Sequence, residues 1–172
     1  GTWTFTLDNE SAATQGLALG QVETDSFTVV TADGTEQTVT VTVTGSSDGA
    51  VISGVADGSV TEDVAVDEGG NLVAQGTLTI TDADSGEASF VAQASVAGTY
   101  GTFTLDAEGN WTYTADNDQE AVQSLGDDQS LTDSFTAVSA DGTDSQLVTV
   151  TIHGSTNDVN YITGTEDPDP DL

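Results

Sequence analysis

An all-β fold built of antiparallel sandwich repeats is predicted by three features of the sequence. Apolar residues alternate with Thr at period two, short runs rich in Asp and Gly separate the alternating segments, and one stretch of the chain occurs twice. Alternation sends one side of each strand into a core and the other into water. Thr suits the wet side because its branched Cβ favours extended backbone while its hydroxyl stays hydrated.

The repetition sets the frame. Gly1-Thr-Trp-Thr-Phe-Thr-Leu-Asp-Asn9 returns as Gly109-Asn-Trp-Thr-Tyr-Thr-Ala-Asp-Asn117, Thr24-Asp-Ser-Phe-Thr28 as Thr132-Asp-Ser-Phe-Thr136, and Ala32-Asp-Gly-Thr35 as Ala140-Asp-Gly-Thr143, each 108 residues later. Beyond that turn the offset becomes 109, since Val39-Thr-Val-Thr-Val43 matches Val148-Thr-Val-Thr-Ile152. Residues 1–50 therefore read as the back half of one repeat, 51–158 as a complete one, and 159–172 as a linker or the start of the next.

In the back half, Trp3, Phe5 and Leu7 alternate with Thr, as do Val39, Val41 and Val43; both trios are expected to face a core. In the complete repeat, strands are expected near 59–66, 72–82, 87–95, 99–106, 110–115, 131–139 and 146–153. Asp67-Glu-Gly-Gly70, Asp82-Ala-Asp-Ser-Gly86, Asp106-Ala-Glu-Gly-Asn110 and Asp141-Gly142 supply the turns between them. Seven short strands in about a hundred residues predict an immunoglobulin-like sandwich. A helical turn is expected near Gln119 to Leu125. Trp3 and Trp111 are assigned to cores rather than to sugar stacking, because each shares its face with other apolar residues.

Composition narrows the function. The 172 residues hold 30 Asp and Glu, no Lys or Arg, no Cys and no Met, for a net charge of -30. Nucleic-acid binding and polybasic membrane contacts need cationic side chains, so both are excluded, and no apolar run is long enough for a membrane-spanning helix. Without Cys there are neither disulfides nor thiolate metal sites. Without Met, the sequence is expected to be an internal or processed piece of a longer chain, with export directed from elsewhere in it. His153, the single histidine, is expected on the wet face of its strand; one imidazole forms neither a triad nor a zinc site, and no catalytic constellation is present.

Four strings carry a resemblance: Leu78-Thr-Ile-Thr-Asp-Ala-Asp-Ser-Gly-Glu87, the run from Gly98 to Tyr113, Leu131-Thr-Asp-Ser-Phe-Thr136, and Val148-Thr-Val-Thr-Ile-His-Gly-Ser-Thr-Asn-Asp158. In this order and spacing they resemble the VCBS-type, cadherin-like tandem repeats of large bacterial RTX-type surface adhesins. The resemblance implies a calcium-dependent extender module in a giant secreted protein, at work in cell adhesion and biofilm, extracellular or on the cell surface. The family's usual Asn-Asp-Ala-Pro linker is replaced by Ser47-Asp-Gly-Ala50 and Asn157-Asp-Val-Asn160, both without Pro.

So many carboxylates without cationic partners call for an external counter-ion, and Ca2+ suits them because it takes 6 to 8 hard oxygen ligands in forgiving geometry. The expected site draws on Asp48 in the linker, Glu62 and Asp63 at the first strand, and Asp82, Asp84 and Glu87 around the loop after the second, all meeting at one pole. Asn157 and Asp158, with Glu166 and Asp167, form a second candidate at the far junction. Asp25 and Asp133 read as turn or capping residues, and Asp33-Gly34 and Asp141-Gly142 as plain hairpin turns.

The function expected is therefore a stiff spacer clamped to neighbouring repeats of the same chain by Ca2+, holding an adhesive tip away from the cell. A second class is a glycan- or ice-binding module using outward Thr rows such as Thr38, Thr40, Thr42 and Thr44. A third is a filament of identical chains, assembled by strand exchange at the edges the half repeat exposes.

Overall fold

The computed structural model describes residues 1–156. The complete repeat is a two-layer sandwich of eight strands, each running where the alternation is cleanest. They are β3 (Val51–Gly54), β4 (Asp57–Thr61), β5 (Asn71–Thr81), β6 (Gln93–Ala97), β7 (Gly101–Leu105), β8 (Asn110–Asp116), β9 (Ser130–Val138) and β10 (Ser145–His153). One sheet has the order β3-β5-β8-β7-β6 and the other β4-β10-β9. All pairings are antiparallel except β4 with β10, which is parallel.

The edge strand of the first sheet thus crosses to the second. β3 pairs with β5, the chain turns at Gly54 (φ 104°), and β4 then pairs with β10. Gly54 has no room for a Cβ, which would lie 2.7 Å from the Thr77 carbonyl. The strand expected over 59–66 forms as β4 alone, ending at Thr61, because residues 62–66 leave the ladder in a turn where Asp63 and Ala65 adopt left-handed φ; β3 ahead of it was not among the expected strands.

Between the sheets lie Leu72, Leu78, Phe103, Trp111, Tyr113, Phe135, Val148, Val150 and Ile152, all buried. Phe103 of β7 stacks on Tyr113 at 4.6 Å and on Phe135 of the opposite sheet at 4.8 Å. The Trp111 ring lies over Gly76 and Gly58, and its Nε1 donates to the Val55 carbonyl at 2.8 Å. The helical turn is present as α2 (Glu120–Gln123), with Val122 buried beneath it. His153 is exposed, as its register requires. The segment 87–95 forms a strand only from Gln93; before it, Phe90 makes a single bridge to Ser139 that stitches the two sheets together.

The half repeat contains α1 (Ala12–Gln15) and a long hairpin, β1 (Val22–Val30) with β2 (Glu36–Thr44). Its register reproduces that of β9 and β10. The expected strand at Trp3–Leu7 does not form, and Trp3 is 54% exposed rather than in a core. Trp111 shows why: its strand is held between β5 and β7, partners that the half repeat lacks among the described residues. Trp3 instead meets Phe27 edge to face at 5.9 Å.

Candidate metal centre

The strand directions define two poles of the complete repeat, and the acidic residues divide between them. One pole gathers the loop after β5, the start of β3 and the β9–β10 hairpin. Thr81 pairs with Val51, the Ile52 amide donates to Asp144 at 2.8 Å, and the Ala50 amide donates to the Thr143 hydroxyl at 2.9 Å.

The loop after β5 folds on its own carboxylates. The Asp84 amide donates to Asp82 Oδ1 at 2.8 Å, the Glu87 amide to the Asp84 carbonyl at 3.3 Å, and Gly86 takes φ 87° to close the turn. This leaves Asp84 buried, with Oδ2 accepting the Asp48 amide of the linker at 2.7 Å. Asp84 Oδ1 and Asp82 Oδ2 are buried with no hydrogen-bond donor. Asp82, Glu87 and Asp141 can each bring a carboxylate oxygen within 4.8 Å of the other two. The Glu87 carboxyl is held above its ordinary value, first by partial burial and then by Asp84, Asp82 and Asp141. Asp141 is held below its own by the hydroxyls of Ser139 and Thr143.

Asp141 was expected only as a turn residue. It does make the hairpin turn, and its carboxylate also joins the cluster. The signal was the loop itself, one residue longer here than in the first copy: with Asp144 and Thr143 it binds the backbone entering β3 and so brings the hairpin to the linker.

Glu62 and Asp63 are not at this pole, contrary to the expectation of a single cluster. Thr61 pairs with His153 at the end of β10, so the two acids follow at the opposite end of the sandwich. The eleven residues of β5 separate the poles, about 30 Å at the rise of an extended strand. Glu62 is fully buried there. Its amide donates to the His153 carbonyl at 2.9 Å and its Oε1 accepts the Ser155 amide at 2.8 Å, while Oε2 is buried without a donor.

Asp63, at φ 58°, exchanges hydrogen bonds with Asn117, donating its amide to Oδ1 at 3.0 Å and accepting from Nδ2 at 2.8 Å. Asn117 and then Gln123 hold its carboxyl below the ordinary value. Asn117 was not among the expected site residues, although Asp116-Asn117-Asp118 repeats Asp8-Asn9-Glu10. The described residues end at this pole with Thr156, whose hydroxyl donates to Asp127 at 2.8 Å. Asn157, Asp158, Glu166 and Asp167 lie outside the described residues.

Asp133 has the turn-capping role expected of it, and plays it across the sandwich. It lies inside β9, buried, and its carboxylate closes the β6–β7 turn by accepting the amides of Thr99, Tyr100 and Gly101. Its counterpart Asp25, in β1, is exposed.

The donors at both poles fit a hard divalent cation. They are carboxylate oxygens, three of them buried and unpartnered, in a chain with no Lys or Arg to answer them. The junction among the described residues brings complementary poles together, because the Ser85 amide in the loop after β5 donates to the Gly16 carbonyl at 3.2 Å, just beyond α1 of the half repeat. No helix among the described residues is long and apolar enough to cross a membrane.

No curated protein matches the chain. Among solved structures, it aligns with a Ca2+-stabilized adhesin that helps an Antarctic bacterium reach out and bind ice, at 17% identity and a TM-score of 0.29, over 78% of this chain and 31% of that one. Residues 47–154, spanning both sheets, the acidic loop after β5 and the buried Glu62, match the bacterial cadherin-like domain, and the chain belongs to that family.

Proposed function

We propose that this non-enzymatic domain is a calcium-clamped spacer in a secreted bacterial surface adhesin of the VCBS-type, RTX-exported kind its motifs resemble. Its repeat unit runs over residues 51–158, between a back half at 1–50 and a linker at 159–172. The observation that carries the reading is the set of buried carboxylate oxygens without donors, Asp82 Oδ2 and Asp84 Oδ1 at one pole and Glu62 Oε2 at the other. A buried anion with no partner opposes folding, and a cation that replaces its hydration removes the penalty. Ca2+ held by Asp82, Asp84, Glu87 and Asp141 would also fix the linker, since Asp84 already binds the Asp48 amide. In an array, Glu62, Asp63 and the Asn157-Asp158 linker of one repeat would face the Asp82–Glu87 loop of the next. Removing linker freedom straightens such an array, whose work is reach rather than chemistry.

The test is thermal unfolding in Ca2+ and in EDTA. A site filled at a hundred times its Kd stabilises the fold by about 2.7 kcal/mol, which raises Tm by roughly 10 to 20 °C for a domain of about a hundred residues. Equal Tm values in both buffers refute the clamp. Small-angle scattering on several joined repeats tests the spacer separately, with a longer and straighter particle expected in Ca2+.

A further inference from the structure

In a chain of net charge -30, the outer face of the five-stranded sheet is nearly free of charge. Asp116, at the end of β8, is the one acid in β3, β5, β6, β7 and β8. The register lays the outward side chains in rows. Val73, Thr114 and Thr102 form one, Gln75, Thr112 and Thr104 the next, and Thr77 beside Asn110 a third. Neighbours within a row stand about 5 Å apart and successive rows about 7 Å apart.

Two hollows open on this face, both of a size that takes small molecules. One, of about 480 Å3, is bounded by Asn71, Tyr100, Thr102, Thr114 and Gln119, with Asp116 at its margin. The other, of about 620 Å3, is bounded by Val55, Gln75, Thr77, Asn110 and Thr112, where the chain crosses from β3 to β4. Thr112 and Thr114 follow each other on the same side of β8, so the hollows adjoin.

Their chemistry selects the ligand. The hydroxyls of Thr102, Thr112 and Thr114 and the Gln75 amide have no partner among the described residues, and each of these groups can both donate and accept. Val55 and Val73, 53% and 42% exposed, and the half-buried Tyr100 add apolar ribs. The chain has no Lys or Arg to hold a phosphate, sulfate or carboxylate, and its net charge repels one. A protein partner would call for an apolar, aromatic centre, and the face offers scattered valines instead.

We propose that this face binds a neutral oligosaccharide lying along β8 and spanning both hollows, its hydroxyls exchanging hydrogen bonds with Thr102, Thr114, Thr112 and Gln75. The face is distinct from the row of Thr38 to Thr44 on β2. The carboxylates of the poles take no part, so the proposal stands or falls apart from the calcium clamp.

The test exposes the full chain, in saturating Ca2+, to an immobilised array of neutral gluco-, manno- and galacto-configured hexasaccharides and their uronate counterparts, and then titrates the best-retained one calorimetrically. The expected result is retention of a neutral hexasaccharide and not of its uronate counterpart, with far weaker binding of the monosaccharide, which fills one hollow. Thr114→Val and Gln75→Ala, both on the outer face, should each weaken binding about tenfold with Tm unchanged. Three results overturn the proposal: no neutral hexasaccharide retained, retention led by the uronates, or binding that either variant leaves intact.

Discussion

The Tyr113 hydroxyl donates to Asp133 Oδ2 at 3.0 Å between the two sheets, and that same carboxylate accepts three backbone amides from the β6–β7 turn at 2.7 to 3.0 Å. A carboxylate with four donors is satisfied without a cation, unlike those at the poles. Asp133→Ala would leave three amides and one hydroxyl without an acceptor, an expected loss of roughly 3–5 kcal/mol in denaturant unfolding. Tyr113→Phe should cost about 1 kcal/mol. Burial and then Asp133 raise the Tyr113 pKa well above its ordinary 10.0. The unfolded chain ionises first, so this contribution is complete below pH 10 and lost as pH rises toward the folded value. The Tyr113→Phe variant should lose that alkaline slope, and stability measured from pH 8 to 11 checks it.

Glu87 has a raised carboxyl pKa because it is partly buried and faces Asp84, Asp82 and Asp141. In metal-free protein its contribution is therefore complete below the ordinary 4.5 and lost as pH rises through the folded value. Asp63, Asp67, Asp106 and Asp141 have lowered values and act oppositely, supporting the fold above 3.8 and losing that support as pH falls through their folded values. Glu87→Gln should raise the Tm of the EDTA-treated protein at pH 7 and weaken Ca2+ binding by roughly tenfold or more. Protons compete with the ion for Glu87, so affinity should fall from pH 7 to pH 5 in the parent and less steeply in the variant. Calorimetric titration at both pH values measures the difference.

Because the poles stand at opposite ends of β5, their variants should not communicate. Asp84→Asn is expected to abolish binding at the Asp82–Glu87 loop and to loosen the linker through Asp48. Glu62→Gln should leave that binding heat unchanged and alter stability only through its own pole, where Oε2 lacks a donor. The double variant should show the sum of the two effects within a few tenths of a kcal/mol. One shared site would instead give a double variant no worse than the poorer single one.

The sandwich was legible from alternation and turns because both report local chain chemistry. Leu78, Trp111 and Val150 have the periodicity of buried strands and are buried. Burial of Trp3 was not legible, because an identical local pattern leads to a core only when another stretch of chain supplies the opposite wall. The acidic loop after β5 was found from its Asp-x-Asp spacing. Its separation from Glu62 was hidden, since it depends on the parallel pairing of β4 with β10, a long-range choice made at Gly54. Asp141 was hidden for the same reason: its sequence says turn, and only the pole it shares with Asp82 says ligand.

The close approach of Trp111 to Gly76 gives a test of how tightly the core is set. A Cβ at Gly76 would lie 2.6 Å from ring atom Cζ2 and 2.8 Å from Nε1, and the indole is anchored by its hydrogen bond to Val55, so the ring has little room to yield. Gly76→Ala is therefore expected to lose roughly 1–3 kcal/mol by overpacking despite its better strand propensity. Gly142→Ala is the contrasting control. It faces open space at φ 76°, so its cost is confined to backbone strain, about 1 kcal/mol. Chemical denaturation of the two variants in saturating Ca2+ should rank Gly76→Ala as the more damaging and shift its tryptophan emission, because only that substitution pushes on an indole. If both fall equally without a spectral change, the ring moves aside freely and the tight seat of Trp111 is not what demands glycine there.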